Sequence, residues 1–169
     1  MKTFVGVFMA GMILILIGSG CGESSTSADQ TTATTPEQRL QDELGDEVAA
    51  SGDLGVLEVQ AVDVKSNAAR VTVQPPGGSF QGANCGDLDD GAQAVFATIY
   101  DDAGWKGDAS VVYVGGIVNE ATGKELPGAR TGLFTITSEQ AEQIDWSDED
   151  ALSDIDWSTY RKFCHQALQ

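Results

Sequence analysis

Histidine is almost missing from this chain of 169 residues, with His165 the only one. That scarcity excludes a multi-histidine zinc site. Basic residues are also few, 9 Lys and Arg against 26 Asp and Glu, for a formal net charge of −17. The chain therefore lacks the basic stripe that nucleic acid demands, and anionic lipid headgroups repel it. Acidity of this degree also serves solubility or a saline medium, so it names no partner, although a cationic ligand is compatible with it. Long hydrophobic runs are wanting as well. The stretch FVGVFMAGMILILI, Phe4 to Ile17, holds 14 residues, short of the ~20 that cross a bilayer comfortably.

That stretch follows Met1-Lys2-Thr3 and sits at the upper end of the ~7–15 residues of a secretory apolar region. Gly18, Ser19 and Gly20 are small residues of the kind a signal peptidase accepts, and Cys21 follows them directly. Met1 to Cys21 resembles a bacterial lipoprotein precursor. The resemblance implies that residues 1–20 are a signal peptide, that diacylglycerol is attached to the Cys21 sulfur, and that Cys21 becomes the lipidated first residue after cleavage. The box GSGC departs from the family's usual pattern at Gly18, where Leu or a similar apolar residue is usual and Ile17 stands one step early. The competing expectation is an uncleaved signal anchor from Phe4 to about Ser19. Either arrangement places the remainder outside the cytoplasm. Two acyl chains, at ~0.8 kcal/mol per buried CH₂, make a stable anchor where one is marginal. Loss of residues 1–20 removes Lys2, leaving 8 basic against 26 acidic residues and a net charge of −18. The acyl chains, not the protein surface, then hold the molecule to its membrane.

Residues 21–36 begin with the lipidated Cys21 and continue as GESSTSADQTTATTP, with no aliphatic side chain larger than Ala. Such a segment cannot bury enough surface to offset its ordering entropy and is expected to be a flexible tether. Residues 37–169 are expected to fold as a single domain. Thr35-Pro36-Glu37-Gln38 has the form of a capping box with Pro at the first helical position, and Leu40, Leu44 and Val48 continue the stripe to a stop at Gly52. Gly55 to Val64 and Ala69 to Gln74 read as strands of a hairpin joined through KSNA. Pro75 to Gly78 end it. Leu88, Ala92, Val95, Phe96, Ile99 and Tyr100 recur at helical spacing between Asp87 and Asp102, with Asp87 or Asp89 as the cap. Ala109 to Val118, apolar on both faces, reads as a central strand, and Leu133 to Thr137 as its antiparallel partner. Thr137 to Gln140 repeats the capping box ahead of a helix through Ile144. Tyr160, Phe163, Cys164, Ala167 and Leu168 line one face of a terminal helix. The fold class expected is α+β, an antiparallel sheet of about four strands with helices on one face, in the order α-β-β-α-β-β-α-α.

Cys85 and Cys164 are the two cysteines left after Cys21, and in an exported protein they are expected to pair. A thiol using His165 is the rival, but Cys164 and His165 are neighbours, about 100° apart around a helix, and do not meet there. Cys85 with His165 stays open. Asp87, Asp89, Asp90 and Gly91 fail the calcium-loop pattern, with Gly91 one place early and Thr98 where Glu is needed. Asp148, Asp150, Asp154 and Asp156 fail it too, since Leu152 and Ser153 stand where a ligand and glycine belong. No metal or other cofactor is therefore expected. Ile144-Asp145-Trp146-Ser147 returns as Ile155-Asp156-Trp157-Ser158, too few copies for a solenoid. Asp156 can cap a helix with Ile155 stapled to Tyr160, while Trp146 and Trp157 are candidates for a partner or glycan surface and otherwise core. Ile144-Asp145-Trp146 is similar to a motif in small secreted or lipid-anchored domains of Gram-positive bacteria and their phages, most without an assigned activity.

No residue pattern specifies catalysis. The function expected is that of a membrane-tethered extracytoplasmic binding module, anchored through acyl chains on Cys21, for an undefined protein or cationic ligand. The alternatives are a phage-encoded surface lipoprotein that excludes a second infection, and a small hydrolase using paired carboxylates.

Overall fold

The computed structural model describes residues 34–50, 54–119 and 122–169. Cys21, the signal peptide and most of the tether lie outside the described residues.

Helix α1, Pro36–Leu44, starts as expected: the Thr35 hydroxyl accepts from the Gln38 amide and the Gln38 side chain accepts from the Thr35 amide. It buries Leu40 and Leu44 and ends at Gly45, whose φ of 54° is open to glycine. The helix does not run on through Val48. Instead Val48 is buried in a short strand β1, Glu47–Ala49, paired to β2. Three residues are too few to display an alternating pattern, which is why helical spacing swallowed them.

Strands β2, Val56–Lys65, and β3, Ala68–Gln74, form the expected hairpin, turning through Ser66 and Asn67. Helix α2, Cys85–Ala97, is capped three residues earlier than expected, by Asn84, whose Oδ1 accepts from the Gly86 and Asp87 amides. The Asp87 carboxylate in turn accepts from the Asn84 amide at 2.7 Å.

Strand β4, Asp108–Asn119, then pairs with β3 in parallel, from Ala68 opposite Asp108 to Val73 opposite Tyr113. This corrects the all-antiparallel expectation. A helix between two neighbouring strands carries the chain back across the sheet, so the second must run the same way as the first. Strand β5, Lys124–Ile136, returns antiparallel to β4 and starts well before Leu133. Pro127 and Gly128 fall in a part of β5 that pairs with β4 alone, where a missing amide and a turn-forming residue are tolerated.

Two short helices follow, α3, Ser138–Ala141, and α4, Glu149–Ser153. The terminal helix expected over Tyr160 to Leu168 does not form. Arg161–Cys164 is instead strand β6 along the free edge of β5, and Gln166–Leu168 a single tight turn. The result is one six-stranded mixed sheet in the order β1-β2-β3-β4-β5-β6. The coarse α+β expectation holds, with six strands in place of four.

One sheet face carries Leu57, Val71, Val73, Val111, Tyr113, Phe134 and Ile136, all fully buried with Leu88, Val95, Phe96 and Ile99 of the α2 region. On the other face Arg70 is exposed and Ser110 and Thr135 pair their hydroxyls at 3.2 Å. Helix and sheet approach closely at Gly91, where an added Cβ would lie 2.6 Å from the Tyr113 hydroxyl. That hydroxyl donates to the Leu88 carbonyl at 3.0 Å. Among the described residues no helix is long and apolar enough to cross a membrane.

Candidate functional site

The chain after α2 continues in a wider turn, Thr98–Asp102, in which the Ala103 amide reaches five residues back to the Thr98 carbonyl at 3.0 Å. Turns of this width concentrate at functional positions. The Trp105 amide then donates to the Ile99 carbonyl at 3.1 Å, folding the chain back so that Trp105 and Tyr100 line one cleft. Both rings spend their polar atoms on the backbone: the Tyr100 hydroxyl donates to the Gly107 carbonyl, and Trp105 Nε1 to the Asp108 carbonyl, each at 3.0 Å. Burial, with the Asp108 charge second, pushes the Tyr100 phenol well above its ordinary range.

Two tandem units of the same construction pack on this turn and on the end of α2 before it. In the first, Thr137 caps α3, Trp146 Nε1 donates to the Ala141 carbonyl, and Asp145 Oδ1 accepts from the Ser147 amide and hydroxyl. In the second, Asp148 caps α4, Trp157 Nε1 donates to the Leu152 carbonyl, and Asp156 Oδ1 accepts from the Ser158 amide and hydroxyl. The repeated Ile-Asp-Trp-Ser is thus a repeated structure. Each indole meets one ring of the α2 region: Trp146 stacks on Tyr100 at 4.7 Å and Trp157 on Phe96 at 6.3 Å.

The units differ in exposure. Trp157 is 4% exposed and belongs to the core, with Tyr160 5.6 Å from its ring. Asp156 caps a single tight turn, Trp157–Thr159, where a longer helix was expected. Trp146 is half-buried and borders a cleft of about 260 Å³ with Tyr100, Trp105, Lys106, Ser138 and Glu142. Lys106 and Glu142 are exposed at its rim, and Ser138 is half-buried.

A second concavity, an open groove of about 680 Å³, lies at the corner where α2 meets β6. Cys85 and Cys164 are joined there in a disulfide, with Cα atoms 6.1 Å apart and a sequence separation of 79. In chain-entropy terms a loop of that length contributes about 4.5 kcal/mol. Arg161 Nη1 spans the same joint, donating to both Asp89 oxygens and to the Cys85 carbonyl, all at 3.0 Å. Half-burial still holds the Asp89 carboxyl above the ordinary range; Arg161 works against it, and Asp90 and Asp156 reinforce it.

The pairing expected of Cys85 and Cys164 is present, so neither sulfur is a free thiol. His165 Nδ1 accepts from the Ala167 amide at 3.1 Å and caps the last turn. Among the described residues no group of three or more His, Cys, Asp or Glu is placed to hold a metal ion. Of the two tryptophans proposed for a surface, the structure brings Trp146 alone to a cleft. Tyr100, Trp105, Lys106 and Glu142 were missed. The readable signal was the spacing of Phe96 and Tyr100, four apart, against two copies of Ile-Asp-Trp-Ser, which offers one ring to each indole. Compared with protein-family models, with curated proteins and with solved structures, the chain matches none.

Proposed function

We propose that this protein is a membrane-tethered extracytoplasmic binding module, held by acyl chains on Cys21, that captures a ligand and does not transform it. The observation that carries the reading is the Cys85–Cys164 disulfide. Such bonds persist in the oxidising compartments outside the cytoplasm, the side on which a leader ending at Gly20, just before Cys21, would leave the domain. The Ser- and Thr-rich segment ahead of Pro36 suits a spacer between lipid and domain, and a charge of −18 suits a body kept off an anionic surface. The chemistry of the two concavities agrees with binding. Asp89, the carboxylate side chain of the corner groove, has both oxygens held by Arg161, a structural tie.

Intact-mass measurement of the membrane-extracted protein, with and without reduction, tests the reading. The expected product lacks residues 1–20, carries acyl mass, and gains two hydrogens on reduction. A product that begins at Met1 without acyl mass overturns the lipid anchor, and recovery from cytosol with all thiols free overturns the location.

A further inference from the structure

We propose that the Trp146 cleft binds one neutral sugar ring, a hexose or N-acetylhexosamine unit, which deepens the binding-module reading and rests on it. At about 260 Å³ the cleft falls just below the ~300–1,000 Å³ span of drug-sized pockets. That is the scale of a small ligand, and a single ring is the unit proposed.

The wall decides the ligand class by elimination. Tyr100 and Trp105 are each 6% exposed, and Tyr100 has given a face to Trp146, so the half-buried Trp146 is the one wall ring left to meet a ligand. Lys106 stands at the same rim and repels a cation. An anion meets Glu142 at the rim and the Asp108 charge that already acts on Tyr100. A wholly apolar ligand leaves Lys106, Glu142 and Ser138 without anything to bind. A ring that is apolar on one side and hydroxylated at its edge satisfies all of them. Trp146 and Ile144 take the C–H surface, Lys106 donates, Glu142 accepts, and Ser138 does either. Because the three polar ring atoms of Tyr100, Trp105 and Trp146 are bonded to backbone carbonyls, selectivity falls to the rim side chains.

The chain holds three tryptophans, so full-length protein in detergent with isotope-labelled indoles offers three reporters. Glucose, galactose, mannose and N-acetylglucosamine are titrated, each free and as its methyl glycoside. The expected result is a saturable movement of the Trp146 and Trp105 indole signals with at least one sugar, and a smaller one for Trp157. Equal response to the methyl glycoside assigns a glycan end; response to the reducing sugar alone assigns free sugar. Glu142→Gln and Lys106→Met, exposed and harmless to the fold, each weaken binding by about tenfold or more, the scale of a hydrogen bond to a charged group. Absence of a saturable shift with every sugar overturns the proposal. So does a response to tetramethylammonium or inorganic phosphate in place of sugar, or rim variants that bind as tightly as the parent. A lipidated, disulfide-bonded protein that ignores sugars loses this ligand class and keeps its tether.

Discussion

Trp146 and Trp157 stand in equivalent places of two consecutive units, each indole donating to the carbonyl five residues before it, with their rings 6.1 Å apart. One unit is used to close the core and the other to border a cleft. The duplicated turn thereby buries one indole in the core and leaves the second half-buried at a cleft.

Unequal exposure makes the two substitutions diverge. Trp157→Ala removes a buried ring packed on Phe96 and costs about 3–5 kcal/mol. Trp146→Ala, at a half-buried position, costs less. Chemical denaturation of both variants checks the order, and equal losses would refute the division of roles.

The close approach at Gly91 predicts a non-additive pair. Gly91→Ala drives a Cβ against the Tyr113 hydroxyl and destabilises by about 1–3 kcal/mol. Tyr113→Phe alone loses one buried hydrogen bond, about 1 kcal/mol. With the hydroxyl gone the worst clash is relieved and only the 3.2 Å approaches of the Leu54 and Leu57 methyls remain, so the double variant is more stable than the two losses combined would give. Additive losses in urea titrations would place the strain elsewhere.

Thr131 is the additional residue where β5 slips register against β4, and its hydroxyl is buried without a hydrogen-bond partner. A buried orphan of this kind costs about 1–3 kcal/mol. Thr131→Val keeps the shape and the carbonyl that accepts from the His165 amide, and is expected to raise the melting temperature. A fall would show that the hydroxyl does find a partner in solution.

Burial, and Asp87 after it, lift the Asp90 carboxyl above its ordinary value of 3.8. An acid whose pKa is raised by folding holds its proton more tightly when folded. In the window between the ordinary and the raised value the folded state carries more protons, so stability falls as pH rises through it. At neutral pH the ionised Asp90 is therefore a small cost, reduced by solvent screening at this exposed position. Asp90→Asn is expected to melt higher than the parent at pH about 7, with the gap closing as pH falls toward the ordinary carboxylate value. A gap that widens on acidification would reverse the sign.

The helix starts were legible because they are local. Thr35 with Gln38 and Thr137 with Gln140 are bonds between residues three apart, and any chain with that spelling makes them. The hairpin through KSNA was legible for the same reason, a short link between two alternating runs. The cleft was harder to see. Tyr100 and Trp105 belong to a widened turn that follows a regular helix, and helical spacing alone counts Tyr100 as core.

By itself, then, the sequence determined the acidity, the caps at Thr35 and Thr137, the body of the central helix, the apolar strand β4 and the availability of two cysteines to pair. Those follow from side-chain chemistry acting over a few residues. Only the tertiary structure decided that β3 and β4 run parallel, that Arg161–Cys164 closes the sheet edge as a strand, and which indole stays near solvent. Each of these depends on what lies across from a segment. The free edge of β5 offers Arg161–Cys164 backbone partners, and the disulfide and the Arg161–Asp89 pair hold that edge against α2. Together they outweigh a helical preference of tenths of a kcal/mol per residue.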